Sequence, residues 1–200
     1  MAVPLAVPAM NRHTATVIFL HGLGDQGASW INLVVNWRRA QKFTETKFIF
    51  PNAPIILITA NGGARMPGWY DIRAINDFAE EDEAGIMRSC STVHRLIDAE
   101  IATGIPSERI VLGGFCQGAA LALLAGTTCK HKLGGIVGLS GYMLLNDKFK
   151  DLVCKNNPNK DTEIFMGDAD IDPLVLPEWG RWTAKKLKEL GWTVGTKGYP

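Results

Sequence analysis

Residues 109–124, RIVLGGFCQGAALALL, decide the fold of this chain. The short apolar run at 109–113 is typical of a buried strand, and residues 117–127 have the small and apolar composition of a buried helix. The pentapeptide GFCQG joins the two, with a glycine two positions before and two positions after Cys116. A larger side chain at either glycine would clash with the neighbouring strand or helix in a tight turn. The segment therefore predicts a strand that turns sharply into a helix, with Cys116 at the turn.

This context is that of a nucleophile elbow, G-x-S-x-G, with cysteine in the position of serine. Backbone N–H groups and the dipole at a helix N-terminus favour negative charge, so they favour the thiolate of Cys116. The alternative is a structural cysteine in an ordinary strand–helix turn. We predict that Cys116 is a nucleophile.

Short apolar strands and helices alternate along the rest of the chain. Strands are predicted at 15–20, 47–50, 109–113, 134–140, 162–166 and 192–199, and helices at 29–40, 82–103, 117–127 and 177–190. A long irregular loop is expected through residues 61–71. This alternation predicts an α/β fold with a mostly parallel sheet and helices on both faces. We expect residues 15–200 to form one domain and residues 1–14 to be a lead-in.

Composition and charge argue against several classes of function. The 200 residues carry a formal net charge of +1, which gives no electrostatic reason to expect nucleic acid as a partner. The chain lacks a run of about 20 apolar residues, so stable membrane insertion is not expected. Four cysteines without a CxxC pair argue against a zinc site or a disulfide framework and suit a reducing compartment. We expect a cytoplasmic protein without a metal or another cofactor.

The turn His21-Gly22-Leu23-Gly24 follows the first predicted strand. An oxyanion hole needs two backbone donors, one after the nucleophile and one from a glycine loop after an early strand. Gln117 and Leu23 occupy those positions in the sequence. On its own, a His-Gly turn is more often only a turn.

Three aspartates follow the predicted strand at 162–166, in the sequence DADIDPLV at 168–175. The orienting carboxylate of a catalytic triad sits after a late strand, and Asp172 is our candidate. The alternative is a polar loop that resembles a calcium site, but it lacks the glycine and the glutamate of an EF-hand loop.

Several stretches together resemble the acyl-protein thioesterases, in the carboxylesterase/lysophospholipase branch of the α/β-hydrolases. They are VIFLHGLGDQGASW at 17–30, FPNAP at 50–54, MPGWYDI at 66–72, EDEAGI at 81–86, GIPSERIVLGGFCQGAALAL at 104–123 and DPLV at 172–175. Their order and spacing are far more specific than any one motif, and the resemblance extends from about residue 15 to residue 199.

The resemblance implies a cytosolic hydrolase that removes long acyl chains from protein cysteines and acts on small esters and lysophospholipids. S-acylated proteins and small acyl esters are then the expected partners, and a homodimer is expected as well. It also implies that Leu23 and Gln117 form the oxyanion hole and that Asp172 is the triad acid. Trp69 and Tyr142 would lie near the acyl groove.

Two departures from the family bear on turnover. The family nucleophile is serine, whereas this chain has Cys116. The family places its triad histidine shortly after a segment like Lys197-Gly198-Tyr199, so we expect the histidine and the final helix to be absent from this chain. Cys116 is then expected to accept an acyl group and to release it slowly. Two alternatives stay open: a catalytically impaired relative that binds acyl chains or a protein, and a cysteine hydrolase of the dienelactone hydrolase type.

Overall fold

The computed structural model describes residues 4–74, 80–153, 156–171 and 175–200. Its strands are β1 (Leu5–Val7), β2 (Ala15–Leu20), β3 (Thr46–Phe50), β4 (Ile55–Ile58), β5 (Ala64–Pro67), β6 (Ile110–Phe115), β7 (Gly135–Leu139), β8 (Ile164–Ala169) and β9 (Val194–Tyr199). Its α-helices are α1 (Ile31–Arg39), α2 (Glu83–Ala102), α3 (Gln117–Thr127), α4 (Phe149–Leu152) and α5 (Pro177–Glu189).

One sheet organises the described part of the chain, with the strand order β1-β3-β2-β6-β7-β8-β9. All neighbouring strands in it are parallel except β1, which pairs antiparallel with β3. The strand order reverses at β2, which has β3 on one side and β6 on the other. Leu20 pairs with Gly114, so β2 and β6 end side by side. In an open parallel sheet this switch point is where a ligand crevice forms.

Helices cover both faces of the sheet, as predicted. Ile110 and Leu112 of β6 point to the face that packs against α2, α3 and α5, and both are fully buried. Every residue of α3 is buried, which explains its small and apolar sequence. On the other face, Val34 of α1 packs against Phe48 and Phe50 of β3. The α/β fold predicted from the alternation of elements, with a mostly parallel sheet and helices on both faces, is therefore confirmed.

Residues 5–7 of the expected lead-in are part of the main sheet. Leu5 pairs with Phe50 and Val7 with Phe48, and both apolar side chains pack against the cluster under α1. A strand of three residues is too short to give a period-two signal, so the sequence alone did not indicate it. The domain bounds of 15–200 stay a prediction.

A hairpin occupies much of the segment that we expected to be irregular. Strands β4 and β5 form a separate two-stranded antiparallel sheet. Gly62 and Gly63 have φ values of 63° and 77°, which turns the chain between the strands at little steric cost. Ile55 and Leu57 are 60% and 56% exposed, so one face of the hairpin presents apolar side chains to solvent.

Candidate active site

Cys116 lies at the sharp turn between β6 and α3. Its backbone has φ 53° and ψ −120°, an unusual conformation for a residue that carries a Cβ atom. A Cβ atom on Gly114 would lie 2.3 Å from the Gly118 carbonyl oxygen, and one on Gly118 would lie 2.3 Å from the Leu20 carbonyl oxygen. Both glycines are therefore required by close backbone approach, as the pentapeptide indicated. The thiol itself is half-buried.

The turn after β2 packs directly against this cysteine. A Cβ atom on Gly22 would lie 3.3 Å from the Cβ atom of Cys116. His21 is fully buried, its Nε2 accepts a hydrogen bond from the Ala53 N–H at 3.1 Å, and its Nδ1 lies 2.7 Å from the Gly22 carbonyl oxygen. Since Nε2 is the acceptor, the proton is on Nδ1, which donates to Gly22. Burial lowers the pKa of His21, which agrees with a neutral ring that holds the turn in place.

The side chain of Gln117 ties a third segment to the turn. Its Oε1 accepts from the Trp69 N–H at 2.9 Å, and its Nε2 donates to the Tyr70 carbonyl oxygen at 2.7 Å. The Trp69 carbonyl oxygen accepts from the hydroxyl of Ser89. This network was not anticipated from the sequence, where Gln117 stood out only for its backbone N–H.

Trp69 takes a different place from the one expected. It is 3% exposed, and it is not among the residues that line the cavity beside Cys116. Its indole N–H donates to the His21 carbonyl oxygen at 2.8 Å, and its ring packs 5.1 Å from the imidazole. A buried indole needs such an acceptor, so Trp69 turns into the core and the next residue, Tyr70, faces the cavity.

A cavity of about 330 Å³ opens beside the thiol, which we term the Cys116 cavity. Most of its wall is apolar. Besides Cys116 it is lined by Leu23, Ile58, Ala60, Asn61, Met66, Tyr70, Asp71, Ile72, Arg73, Ala74, Glu80, Glu81, Asp82, Tyr142, Leu144, Val175 and Trp179. Of the predicted site residues, the structure thus brings Leu23, Tyr142 and Cys116 to one cavity, with Gln117 directly behind it.

Two tyrosine hydroxyl groups meet in the wall of this cavity. The oxygens of Tyr70 and Tyr142 lie 2.9 Å apart, and both side chains are buried. Burial raises the pKa of both phenols well above the ordinary value, so both stay protonated at neutral pH. The ring of Trp179 packs edge-on against Tyr142, with 6.3 Å between the ring centroids. Tyr142 of this pair is one of the site residues that the family resemblance implied.

A second cavity of about 590 Å³ adjoins the first. Glu81, Tyr142 and Trp179 line both cavities, so they form the wall between them. Oε2 of Glu81 accepts from the Leu145 N–H at 2.8 Å, whereas its buried Oε1 has no hydrogen-bond partner among the described residues. Burial raises the pKa of this carboxyl group from 4.5 to about 7. In the sequence, Glu81 stood out only by its position in an acidic run before α2 and at the start of the segment EDEAGI.

The predicted triad acid, Asp172, lies outside the described residues. The other three histidines each contact a residue other than Cys116. Nε2 of His13 lies 2.9 Å from the Thr16 hydroxyl oxygen, and Nε2 of His94 lies 2.8 Å from the Ala125 carbonyl oxygen. Nε2 of His131 lies 2.8 Å from a carboxylate oxygen of Asp98. The described residues contain no group of three or more metal-ligating side chains arranged around one point.

The helices that the structure describes include none with the length and apolar character needed to cross a membrane.

Comparison with known proteins places this geometry in a family. The model of the phospholipase/carboxylesterase family matches residues 2–200. Acyl-protein thioesterase 1 of Neurospora crassa is 54% identical, with 98% of this chain and 82% of that protein covered. Acyl-protein thioesterase 1 of Gibberella zeae is 50% identical, with 98% of this chain and 86% of that protein covered.

Solved structures agree with the sequence relatives. Zea mays acyl-protein thioesterase 2 superposes with a TM-score of 0.86 at 28% identity, covering 100% of this chain and 90% of that one. Arabidopsis thaliana SOBER1 superposes with a TM-score of 0.84 at 30% identity, covering 94% of this chain and 89% of that one. Family match, sequence relatives and fold coincide, and this chain belongs to the phospholipase/carboxylesterase family of α/β-hydrolases.

Proposed function

We propose that this hydrolase cleaves thioesters and carboxylesters of long acyl chains, including acyl groups on protein cysteines, with Cys116 as its nucleophile. The observation that carries the proposal is the half-buried thiol of Cys116, held at a tight strand–helix turn in the wall of the Cys116 cavity. The names of the relatives, acyl-protein thioesterase, support S-acylated proteins as the substrate class.

In the proposed first step, the thiolate of Cys116 attacks the acyl carbonyl carbon. The first N–H groups of an α-helix have no partner within the helix, which supports the Gln117 N–H as one oxyanion donor. Leu23 is proposed as the second donor because its turn packs against Cys116 and it lines the same cavity. The neutral ring of His21 would hold that turn in position.

The Cys116 cavity is proposed as the site of the acyl chain. Its apolar wall, including Ile58, Met66 and Leu144, would replace the water around the chain. Tyr142 is proposed to contact the acyl group, and Trp69 to support the wall from the core. Asp172 remains the proposed triad carboxylate.

Release of the acyl group by water is proposed as the second step, in which water needs a base to become a nucleophile. A thiolate needs no such help in the first step, because a few per cent of an ordinary thiol is ionised near neutrality.

The test is an intact-mass spectrum of the purified chain during incubation with a medium-chain acyl thioester. We expect one acyl adduct on the native chain and none on Cys116→Ala. Cys90→Ala is the matched control, because burial raises the pKa of that thiol to about 12 and makes it a poor nucleophile. An adduct that forms equally on Cys116→Ala would overturn the assignment, and so would a folded native chain that leaves the thioester untouched.

A cytoplasmic location is proposed on the cysteine chemistry. Cys90, Cys116 and Cys129 are thiols, and scattered thiols suit a reducing compartment. The homodimer expected from the sequence stays a prediction.

A further inference from the structure

We propose that the second cavity binds the leaving group of the substrate and selects S-acylated cysteines that have arginine or lysine as sequence neighbours. The inference rests on the proposed function, because it needs the acyl chain in the Cys116 cavity and attack by Cys116. It adds the chemical class of the peptide that carries the acyl group.

The second cavity lies where the part of the substrate beyond the thioester would extend. Cys116 lines the mostly apolar cavity in which the acyl chain is proposed to lie. Tyr142, Trp179 and Glu81 separate that cavity from the second one. The acyl chain and the cysteine sulfur leave the carbonyl carbon of a thioester in different directions. With the acyl chain in the Cys116 cavity, the cysteine-bearing peptide therefore extends toward the second cavity.

Hydrogen bonds between different elements hold the walls of the second cavity together. It lies between the start of α2, the loop after β7, and α5. The Leu145 N–H donates to Glu81 at 2.8 Å, and the Met143 N–H donates to the Thr183 hydroxyl oxygen at 2.9 Å. Its volume of about 590 Å³ falls within the range of about 300–1,000 Å³ that is usual for ligand sites. The cavity is therefore braced and large enough to receive a side chain of the substrate.

Carboxyl groups outnumber cationic side chains in the described lining of the two cavities. Six carboxyl groups line them, those of Asp71, the four consecutive residues 80–83, and Asp147. The cationic side chains of the described lining are Arg73 and Lys148. The whole chain, by contrast, has a formal charge of +1. Negative charge is thus concentrated around the site, where it attracts cationic substrates and repels anionic ones.

Two carboxyl groups of the second cavity are not neutralised by its lysine. Lys148 is ion-paired with Glu83, which leaves Glu81 and Asp147. Asp147 is exposed and accepts from the uncharged amide of Asn146 at 3.2 Å. Burial is the main reason that the pKa of Glu81 is raised to about 7, and the charges of Asp147 and Glu83 raise it further. These groups repel one another, and a cation bound among them would relieve that repulsion.

Two tryptophans of α5 supply an aromatic wall for the same cation. Trp179 and Trp182 both line the second cavity, and Trp182 is 47% exposed. The face of an indole ring attracts a cation, and arginine makes this contact more often than lysine. Both side chains also have N–H groups that carboxylates accept, which a quaternary ammonium group lacks. The combination therefore favours a basic peptide over a choline head group.

The experiment compares the release of deacylated peptide from three thioesters at low ionic strength, with the release by Cys116→Ala subtracted. Each peptide has S-octanoyl cysteine between two identical neighbours, which are arginine, serine or glutamate. We expect the arginine peptide to react at least about tenfold faster than the glutamate peptide, with the serine peptide between them. The difference should shrink in high salt.

The two proposals fail in different ways in this experiment. Equal rates for the three peptides, or a faster glutamate peptide, would overturn the charge selection and leave the proposed function intact. If none of the peptides is released faster by the native chain than by Cys116→Ala, the proposed function is overturned instead.

Two substitutions test whether the second cavity is the origin of the selection. Asp147→Asn should lower the ratio of the arginine rate to the serine rate several-fold. Trp182→Leu keeps an apolar side chain but removes the ring face, and should lower the ratio about two- to fivefold.

Glu163→Gln is the matched control for the loss of a carboxylate. Glu163 is exposed and lies just before β8, at the opposite end of the parallel sheet from Cys116. We expect this variant to keep the native ratio. A native ratio in both Asp147→Asn and Trp182→Leu, or an equal loss in Glu163→Gln, would overturn the assignment to the second cavity.

Discussion

The amide of Gln117 holds the backbone of Trp69 from a distance of 48 residues along the chain, with 2.9 Å between Oε1 and the Trp69 nitrogen. The same amide donates to the Tyr70 carbonyl oxygen. The residue that follows Cys116 therefore anchors the segment that carries Tyr70 into the cavity wall. Under the proposed function, Gln117 would combine this side-chain anchor with a backbone donor for the oxyanion.

Gln117→Leu removes both of these hydrogen bonds. It leaves the Trp69 N–H and the Tyr70 carbonyl buried without partners, so we expect the free energy of unfolding to fall by about 2–4 kcal/mol. Urea unfolding measures the loss. Gln26→Leu is the control: Gln26 is exposed, so this variant should change the free energy of unfolding by less than about 0.5 kcal/mol. Similar small losses in both variants would mean that the network does not stabilise the fold.

Gly118→Ala tests the close approach at the turn. The added methyl group would lie 2.3 Å from the Leu20 carbonyl oxygen, and backbone cannot move away as a flexible side chain can. We expect a loss of about 3 kcal/mol in thermal or urea unfolding, together with loss of acylation at Cys116. Gly135→Ala is the control, because its methyl group would meet nothing nearer than 3.9 Å. A Gly118→Ala protein as stable as the control would contradict the geometry.

A double-mutant cycle tests the hydroxyl pair of the cavity wall. Tyr70→Phe and Tyr142→Phe each remove one oxygen of the 2.9 Å contact. We expect a coupling energy of about 1 kcal/mol in urea unfolding, the size of a typical net hydrogen bond. The cycle subtracts whatever else each hydroxyl contacts. Strictly additive losses would show that the pair contributes nothing.

Glu81→Gln tests the raised pKa between the cavities. In the folded chain Glu81 keeps its proton up to about pH 7, whereas in the unfolded chain it ionises near 4.5. Between those values the folded state binds more protons, so this group lowers stability as the pH rises through that window. Glu81→Gln should therefore gain stability relative to the native chain from pH 4.5 to 7, while keeping an acceptor for the Leu145 N–H.

The measurement is the urea midpoint of both proteins across that window. His21, whose pKa burial lowers, acts in the opposite direction but is present in both proteins, so the difference isolates Glu81. Glu83→Gln is the control: its carboxylate is exposed, and its loss should cost less than about 1 kcal/mol at any pH. If the difference in urea midpoint between Glu81→Gln and the native chain does not change with pH, the raised pKa of Glu81 is refuted.

Trp179→Ala tests the wall between the cavities. Trp179 lines both, so its removal should join them and admit longer acyl chains. We expect the ratio of long-chain to medium-chain loading of Cys116 to rise about tenfold, the effect of burying roughly two further methylene groups. Trp182 lies on the same helix but lines only the second cavity. Trp182→Ala should therefore leave the ratio unchanged. Unchanged ratios in both variants would show that Trp179 does not limit chain length.

The sequence by itself determined the strand, turn and helix around Cys116, and with them the parallel sheet. Apolar runs and glycine positions act over a few residues, because steric clash and side-chain period are local constraints. Gly114 and Gly118 could thus be interpreted before any contact was known. The pairing that brings Leu23 beside Cys116 was not predicted, because β2 and β6 are not consecutive strands of the chain.

Only the tertiary structure decided which side chains face the Cys116 cavity. Trp69 and Tyr70 are neighbours with similar character, and their opposite directions depend on the His21 carbonyl oxygen and the Gln117 amide. The pairing of Tyr70 with Tyr142 joins residues 72 positions apart. A local pattern carries no information about such partners, because a buried polar group is satisfied by whatever the fold brings within hydrogen-bond distance.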